Sequence, residues 1–490
     1  MAAGRTESTG RDSKRYARAS TLRANLAALM LLFVMPLERA EGVTFERPES
    51  LQPAIAFWTR VYGEVDSLSG FIHDSDKLSV VYDTLRFNWY DSARVQERRI
   101  EEAVADYRSA LQALAGGKRK HLTPREQKVL ALWGDDANPE TLAAAASRIR
   151  FQRGQADRIR EGIVRAGAWE QRIRKRLRDA GLPEELAVIP YVESSYNPQV
   201  QSHAGAVGLW QFTHFTGRHY MRVDDVLDER ADPVISTDGA IRLLTNYHSK
   251  LNSWPLAITA YNHGLSGVRR AVQETGSADI GDIVRTYKAP RFGFASRNYY
   301  AAFLAAGDVT RNAETYFGKL QRQQAENHWT VKLPSYIAMN RLVRQLAVDA
   351  DLIQTLNPAL QAAVWDNRKY VPKGYLLRLP ATTRSATITT LLTRIQGHAR
   401  QIPDFVYQVK SGDTLSGIAL RHNHSVSDLV TLNNLRSENH IRAGQSLRLY
   451  SKVVPEAILT ASTEPGATDD RNPLLPRAAE AAFESVAAVP

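Results

Sequence analysis

Cysteine is missing from all 490 residues. That absence excludes a disulfide framework, a thiolate metal site, a thiol nucleophile and attachment to lipid through an N-terminal cysteine. Metal-ligand spacing is missing as well: His203, His214, His219, His248 and His263 form no pattern with carboxylates, so neither a metal nor a cofactor is expected. Near the N-terminus the apolar run over residues 26–35 is only ten residues long, against the roughly 20 that a helix needs to cross a ~30 Å hydrocarbon core. Ahead of it Arg5, Arg11, Lys14, Arg15, Arg18 and Arg23 face only Glu7 and Asp12. That order marks residues 1–41 as a targeting segment of the export-signal kind, expected to be cleaved, although Glu38 stands where a small residue belongs.

What is present is ordinary globular material. With 43% hydrophobic and 23% charged residues there is apolar mass for two or three cores, and 29 Gly and 21 Pro exclude collagen-like or wholly disordered chains. The net charge of +11 suits an anionic partner, but spread over this length it is a mild excess. Residues 42–165 read as mostly helical, with Ile100, Ala103, Val104, Tyr107, Leu111 and Leu114 at three- and four-residue spacing. Nothing catalytic stands out there. Residues 148–178 carry eleven Arg and Lys against Asp157, Glu161 and Glu170. Trp169, Ile173 and Leu177 form an i, i+4, i+8 stripe, so the cations are expected on the solvated faces of a helix. Contact with a cell-wall or membrane surface is the second reading, and nucleic acid is not expected.

The informative stretch starts at Pro183, Glu184 and Glu185, a helix-start signal. A helix running from there puts Leu186, Ile189, Pro190 and Glu193 on one face, so a carboxyl ends an apolar stripe. A carboxyl kept from water stays protonated to higher pH and becomes a general acid. Three further stretches follow in order. Gly205 to Phe212 joins glycines, which let backbone approach a ligand, to Trp210 and Gln211, which suit sugar faces and hydroxyls. Trp254 to Gly264 presents Tyr261 and Asn262 at the end of an apolar run, and Phe294 to Tyr300 brings Tyr299.

Together and in this order, over roughly residues 166–310 of a domain expected at 166–320, these stretches resemble the lytic transglycosylase domain of the goose-lysozyme-like superfamily, of the membrane-bound lytic murein transglycosylase D type. The matching pieces are Glu193 with Ser194, the Gly-Leu-Trp-Gln run at 208–211, the Ala-Tyr-Asn run at 260–262, and Tyr299. The resemblance implies that Glu193 is the acid and base, and that Ser194, Gly208, Gln211, Tyr261, Asn262 and Tyr299 bind substrate. It departs at Ala295, where the family often has an acidic residue. The substrate it implies is peptidoglycan, cut at the β-1,4 bond between N-acetylmuramic acid and N-acetylglucosamine with 1,6-anhydro ends. A hydrolysing glycosidase generally needs a second carboxylate about 5 to 9.5 Å away. None is obvious in the motifs, although Asp224, Asp225, Asp228, Glu229 and Asp232 keep a hydrolytic muramidase as the alternative, with a non-catalytic glycan-binding scaffold third.

Residues 404–451 read as strand, helix, helix, strand and resemble a LysM domain. That likeness implies a shallow groove for N-acetylglucosamine-containing glycans near Gly412, Asp413, Thr414, Leu415, Asn433 and Ile441. Residues 328–381 repeat its second half and lack its Gly-Asp-Thr turn, which reads as a degenerate LysM-like unit. Residues 452–490 show no sustained apolar period, so a disordered tail is expected there. The expectation is therefore a mainly α protein: a helical N-terminal region (42–165), a lysozyme-like catalytic domain, and small α+β units. Its partners are peptidoglycan glycan strands, and the N-terminal segment is a candidate for membrane contact. Its place is the periplasm or envelope of a bacterium, without a cysteine lipid anchor.

Overall fold

A computed structural model describes residues 45–450 apart from 326, 423 and 436. The targeting segment 1–41 and the tail 452–490 lie outside the described residues. Residues 46–450 pack as one unit. Among the described residues no helix is long and apolar enough to cross a membrane.

The N-terminal region contains a feature that helical periodicity hid. Strands β1 (Ser69–Asp74), β2 (Val81–Arg86) and β3 (Ile149–Arg153) form an antiparallel sheet in the order β2-β1-β3. Phe71 lies opposite Thr84, and Ile72 opposite Phe151. The start of the arginine-rich run is thus a strand rather than a helix: Phe151 packs inward, while the Arg153 guanidinium lies over the rings of Phe87 and Phe151. Helices α2 (Ala93–Ala115), α3 (Pro124–Trp133) and α4 (Pro139–Ala146) cover the sheet, burying Tyr107, Leu111, Leu114, Val129 and Leu142 with Tyr82. Helix α1 (Gln52–Gly63) leaves this layer and packs along the helices of residues 156–311.

Those helices are α5 (Ala156–Ala166), α6 (Glu170–Asp179), α7 (Ile189–Ser194), α8 (Pro233–Leu251), α9 (Trp254–His263), α10 (Leu265–Thr275), α11 (Ile280–Thr286) and α12 (Phe294–Arg311). Local chemistry sets their limits. Asp232 accepts from the backbone N–H of Val234 and Ile235 ahead of Pro233, the first residue of α8, and Asn252 closes α8 in the left-handed conformation. The middle of α12, residues 298–307, is buried on every side, as expected of a central helix with α1, α7 and α9 around it.

Two βααβ units follow. The first pairs β4 (His328–Lys332) with β5 (Leu376–Pro380) around α13 (Met339–Leu346) and α14 (Ala350–Leu356). The second pairs β6 (Asp404–Gln408) with β7 (Ser446–Tyr450) around α15 (Leu415–His422) and α16 (Val426–Asn433). One device recurs in both. Asn357 ends α14 and exchanges hydrogen bonds with the backbone of Arg378 at 2.8 and 2.9 Å. Asn433 does the same with Arg448 at 2.9 and 2.6 Å. The repeat read from sequence is therefore also a repeat of side-chain use.

Candidate active site

Glu193 is placed by a broken helix. After Pro183 the chain makes a 3-10 turn over Glu184–Val188, and Pro190, which has no N–H to continue that ladder, falls in the first turn of α7. The sequence pattern suggested one continuous helix, and the break turns the carboxyl toward α12. Ser195 and Tyr196 then take φ values of +49° and +54°, an unfavourable conformation for residues with a Cβ. Outside contacts hold the turn. Arg165 on α5 donates from Nε and an Nη to the Ser195 carbonyl at 3.1 and 2.9 Å, and Gly162 lets that carbonyl come within 3.0 Å of where a Cβ would stand.

Around the carboxyl stand tyrosines. Tyr299 on α12, fully buried, donates its phenol to Glu193 Oε1. The Glu193 charge pushes the phenol pKa values of Tyr299, Tyr261 and Tyr62 further up, beyond what their burial does. Burial raises the Glu193 carboxyl to about 7, and the hydrogen bond from Tyr299 opposes that rise. No carboxylate forms a pair with Glu193 among the described residues. Tyr62 is the residue that sequence reading missed: it sits on α1, in a region with no motif, and reaches the site only because α1 packs on α12.

The other expected site residues gather here with distinct roles. Ser194 is buried, its Oγ 2.9 Å from the Leu209 carbonyl, which ties the end of α7 to the glycine-rich loop. Gly208 has φ +80°, and a Cβ there would sit 2.1 Å from the Arg230 carbonyl, so only glycine fits. Gln211 donates to the carbonyls of Gly208 and Val200 at 2.9 and 3.2 Å. Tyr261 donates to the Trp210 carbonyl at 2.6 Å. Trp210 itself departs from expectation: it is fully buried and donates to Thr237 at 2.9 Å, so it supports the loop and offers no face to a sugar. Asn262 accepts from Ser296 Oγ at 3.0 Å, a polar contact from the residue next to Ala295.

The acidic stretch 224–232 is committed elsewhere. Asp224 accepts from the backbone of Val226 and Leu227, both at 2.8 Å. Asp228 grips Arg230, whose guanidinium also donates to the Gly205 and Phe212 carbonyls and so holds the glycine-rich loop. Glu229 accepts from the Arg222 N–H at 2.7 Å. Asp232, besides capping α8, forms a buried two-point pair with Arg378 at 2.5 and 3.0 Å. Asp225, buried, lies 3.6 Å from Arg448. The stretch thus fastens both βααβ units to the catalytic helices and supplies no partner for Glu193.

In the second unit the turn is rigid. Asp413 accepts from the Lys410 N–H and the Tyr407 phenol, each at 2.8 Å, which holds its carboxyl down at about 2. Leu415 is buried, Ile441 packs on the same small core, Thr414 Oγ1 caps the Gly417 N–H at 3.1 Å, and Gly412 turns at φ +85°. In the first unit the equivalent groove is closed: Ile337 pairs with Val371, and Tyr336 with His398 of the connecting segment, whose ring stacks on Tyr370 at 4.1 Å.

Comparison with known proteins finds two matching families and several similar proteins. The Transglycosylase SLT domain family matches residues 171–284, and the LysM domain family matches residues 407–449. The chain is homologous to membrane-bound lytic murein transglycosylase D of Escherichia coli (strain K12), 25% identical over 372 residues that cover 71% of this chain and 80% of that one. It is 42% identical over 59 residues to the N-acetylmuramoyl-L-alanine amidase XlyB of Bacillus subtilis (strain 168), covering 12% of this chain and 19% of the amidase. Among solved structures, the 70 kDa soluble lytic transglycosylase SLT70 of Escherichia coli aligns at 17% identity and a TM-score of 0.27, covering 45% of this chain and 44% of that one.

Proposed function

We propose that this chain, a homologue of lytic murein transglycosylase D with an SLT and a LysM domain, cleaves peptidoglycan glycan strands with Glu193 as both acid and base. The observation that carries this reading is a lone carboxyl, held near pKa 7 by burial and touched by Tyr299, with no second carboxylate paired to it among the described residues. Protonated Glu193 gives its proton to the oxygen linking N-acetylmuramic acid C1 to N-acetylglucosamine, and the C1–O bond breaks with its electron pair on the leaving oxygen. The Glu193 carboxylate then takes the proton of the C6 hydroxyl of the same muramic residue, whose oxygen closes on C1. No water is consumed, and intramolecular attack replaces the second carboxylate of a hydrolase. The Tyr299 phenol stabilises the charged carboxylate in the second half-step. Ser194, Gly208 and Gln211 shape the loop that places the sugar, and Tyr261 and Asn262 line the cleft.

The second βααβ unit is assigned to glycan binding. Asp413, Leu415 and Asn433 have their side chains engaged within the unit, so a glycan meets mainly the backbone of the turns bearing Gly412, Thr414 and Ile441. The setting inferred is the periplasm or envelope, reached by export, with any membrane contact made by the N-terminal segment. Purified full-length protein should release soluble fragments from isolated sacculi, and Glu193→Gln should not. Intact sacculi with the wild-type protein would leave glycan binding as its only activity.

A further inference from the structure

A groove of about 820 Å³ runs between α6, α8 and the β4–β5 pair, apart from the motifs that gather around Glu193. Its volume suits a small ligand. Val234, Ile241, Ala180 and the largely exposed Leu376 give it apolar wall. Its charged residues are mostly satisfied. Lys175 pairs with Asp179 at 2.6 Å, Arg176 with Asp238 at 2.5 Å, and Arg378 with Asp232. Two cations are not. Among the described residues Arg172, half-buried in the wall, makes no hydrogen bond or ion pair, and Arg242 spends one Nη on the Tyr220 carbonyl and has no acid.

Two uncompensated guanidinium groups above apolar wall fit a ligand that carries carboxylates and small apolar side chains together. Trp, Tyr, Phe, Asn and Gln are missing from the lining, which argues against a sugar face or a nucleobase. Peptidoglycan supplies the fitting chemistry in its short acidic, alanine-containing side peptides. We propose that this groove binds a peptidoglycan side peptide through its carboxylates, with Arg172 and Arg242 as the receiving groups. The first βααβ unit, whose own glycan groove is closed, contributes Leu376, Thr330 and His328 to this site instead.

The inference rests on peptidoglycan as substrate but not on the chemistry at Glu193. The full-length protein is titrated calorimetrically with the purified tetrapeptide released from peptidoglycan by an amidase, with the same peptide amidated at its carboxyls, and with phosphatidylglycerol vesicles. The free tetrapeptide should bind, and Arg172→Glu and Arg172→Gln should weaken it about ten- to a hundredfold, the range of a lost charge-assisted contact. Amidation should weaken it as much. Turnover of peptide-free glycan and the melting temperature should not change in either variant. Equal binding by wild type and variants overturns the proposal, as does binding of vesicles alone with the same dependence on Arg172. If wild-type protein leaves peptide-free glycan uncut, the proposed activity fails, and the titration still decides the groove.

Discussion

Glu193 owes its retained proton to position. In water a glutamic acid is ionised at neutral pH, and here burial lifts the carboxyl to about 7, so under the proposed mechanism it enters the reaction with its proton. Turnover should fall about tenfold per pH unit above roughly 7 as that proton is lost. Tyr299→Phe removes a donor that favours the charged form, so the alkaline limb of the pH profile should move up, and an unmoved limb would separate Tyr299 from the titration. The same raised value has a stability consequence. Between about 4.5 and 7 the folded chain holds a proton that the unfolded chain has released, so stability falls as pH rises through that window. Glu193→Gln is free of this loss. It should melt like wild type near pH 4, be more stable by about 1–3 kcal/mol at pH 8, and lose about 10²- to 10⁴-fold in turnover.

At the scale of elements, the contacts that shape the site come from places with no motif. Arg165 on α5 props the Ser195 turn, Tyr62 on α1 lies near enough for the Glu193 charge to push its phenol pKa further up, and Asp232 at the head of α8 grips β5 through Arg378. Arg378→Ala would leave the Asp232 carboxylate buried without its partner, which typically costs 3–5 kcal/mol, here about that range. Denaturant unfolding should show the loss, and an unchanged midpoint would mean that the pair is not a fastening. The motifs, the helix-start signals and the βααβ repeats were legible in sequence because each is a local pattern: Glu193 on an apolar stripe, the Asn357 and Asn433 positions in parallel segments. The β1–β3 sheet was not, since Phe71, Ile72 and Phe151 pair across some 80 residues and its strands are short. Trp210 and Gln211 looked like sugar contacts by residue type. Burial gives the first to the core, and the loop's own carbonyls engage the second.

Across the whole molecule, two small units are fastened to one catalytic body. Arg448 reaches Asp225, and Lys369, in the first unit, pairs with Asp404 of the second at 2.6 Å. Deleting residues 404–490 should weaken binding to whole sacculi while leaving turnover of short soluble glycans largely intact, because a second glycan contact on the same body acts through effective concentration. Equal loss on both substrates would make the unit structural. The most direct test of the single-carboxylate mechanism is the mass of the product ends formed from purified glycan strands in H₂¹⁸O. The mechanism requires 1,6-anhydro ends, one water lighter than reducing ends and free of ¹⁸O. Reducing ends carrying one ¹⁸O per cut would contradict it, because they would show that water, not the C6 hydroxyl, attacks C1.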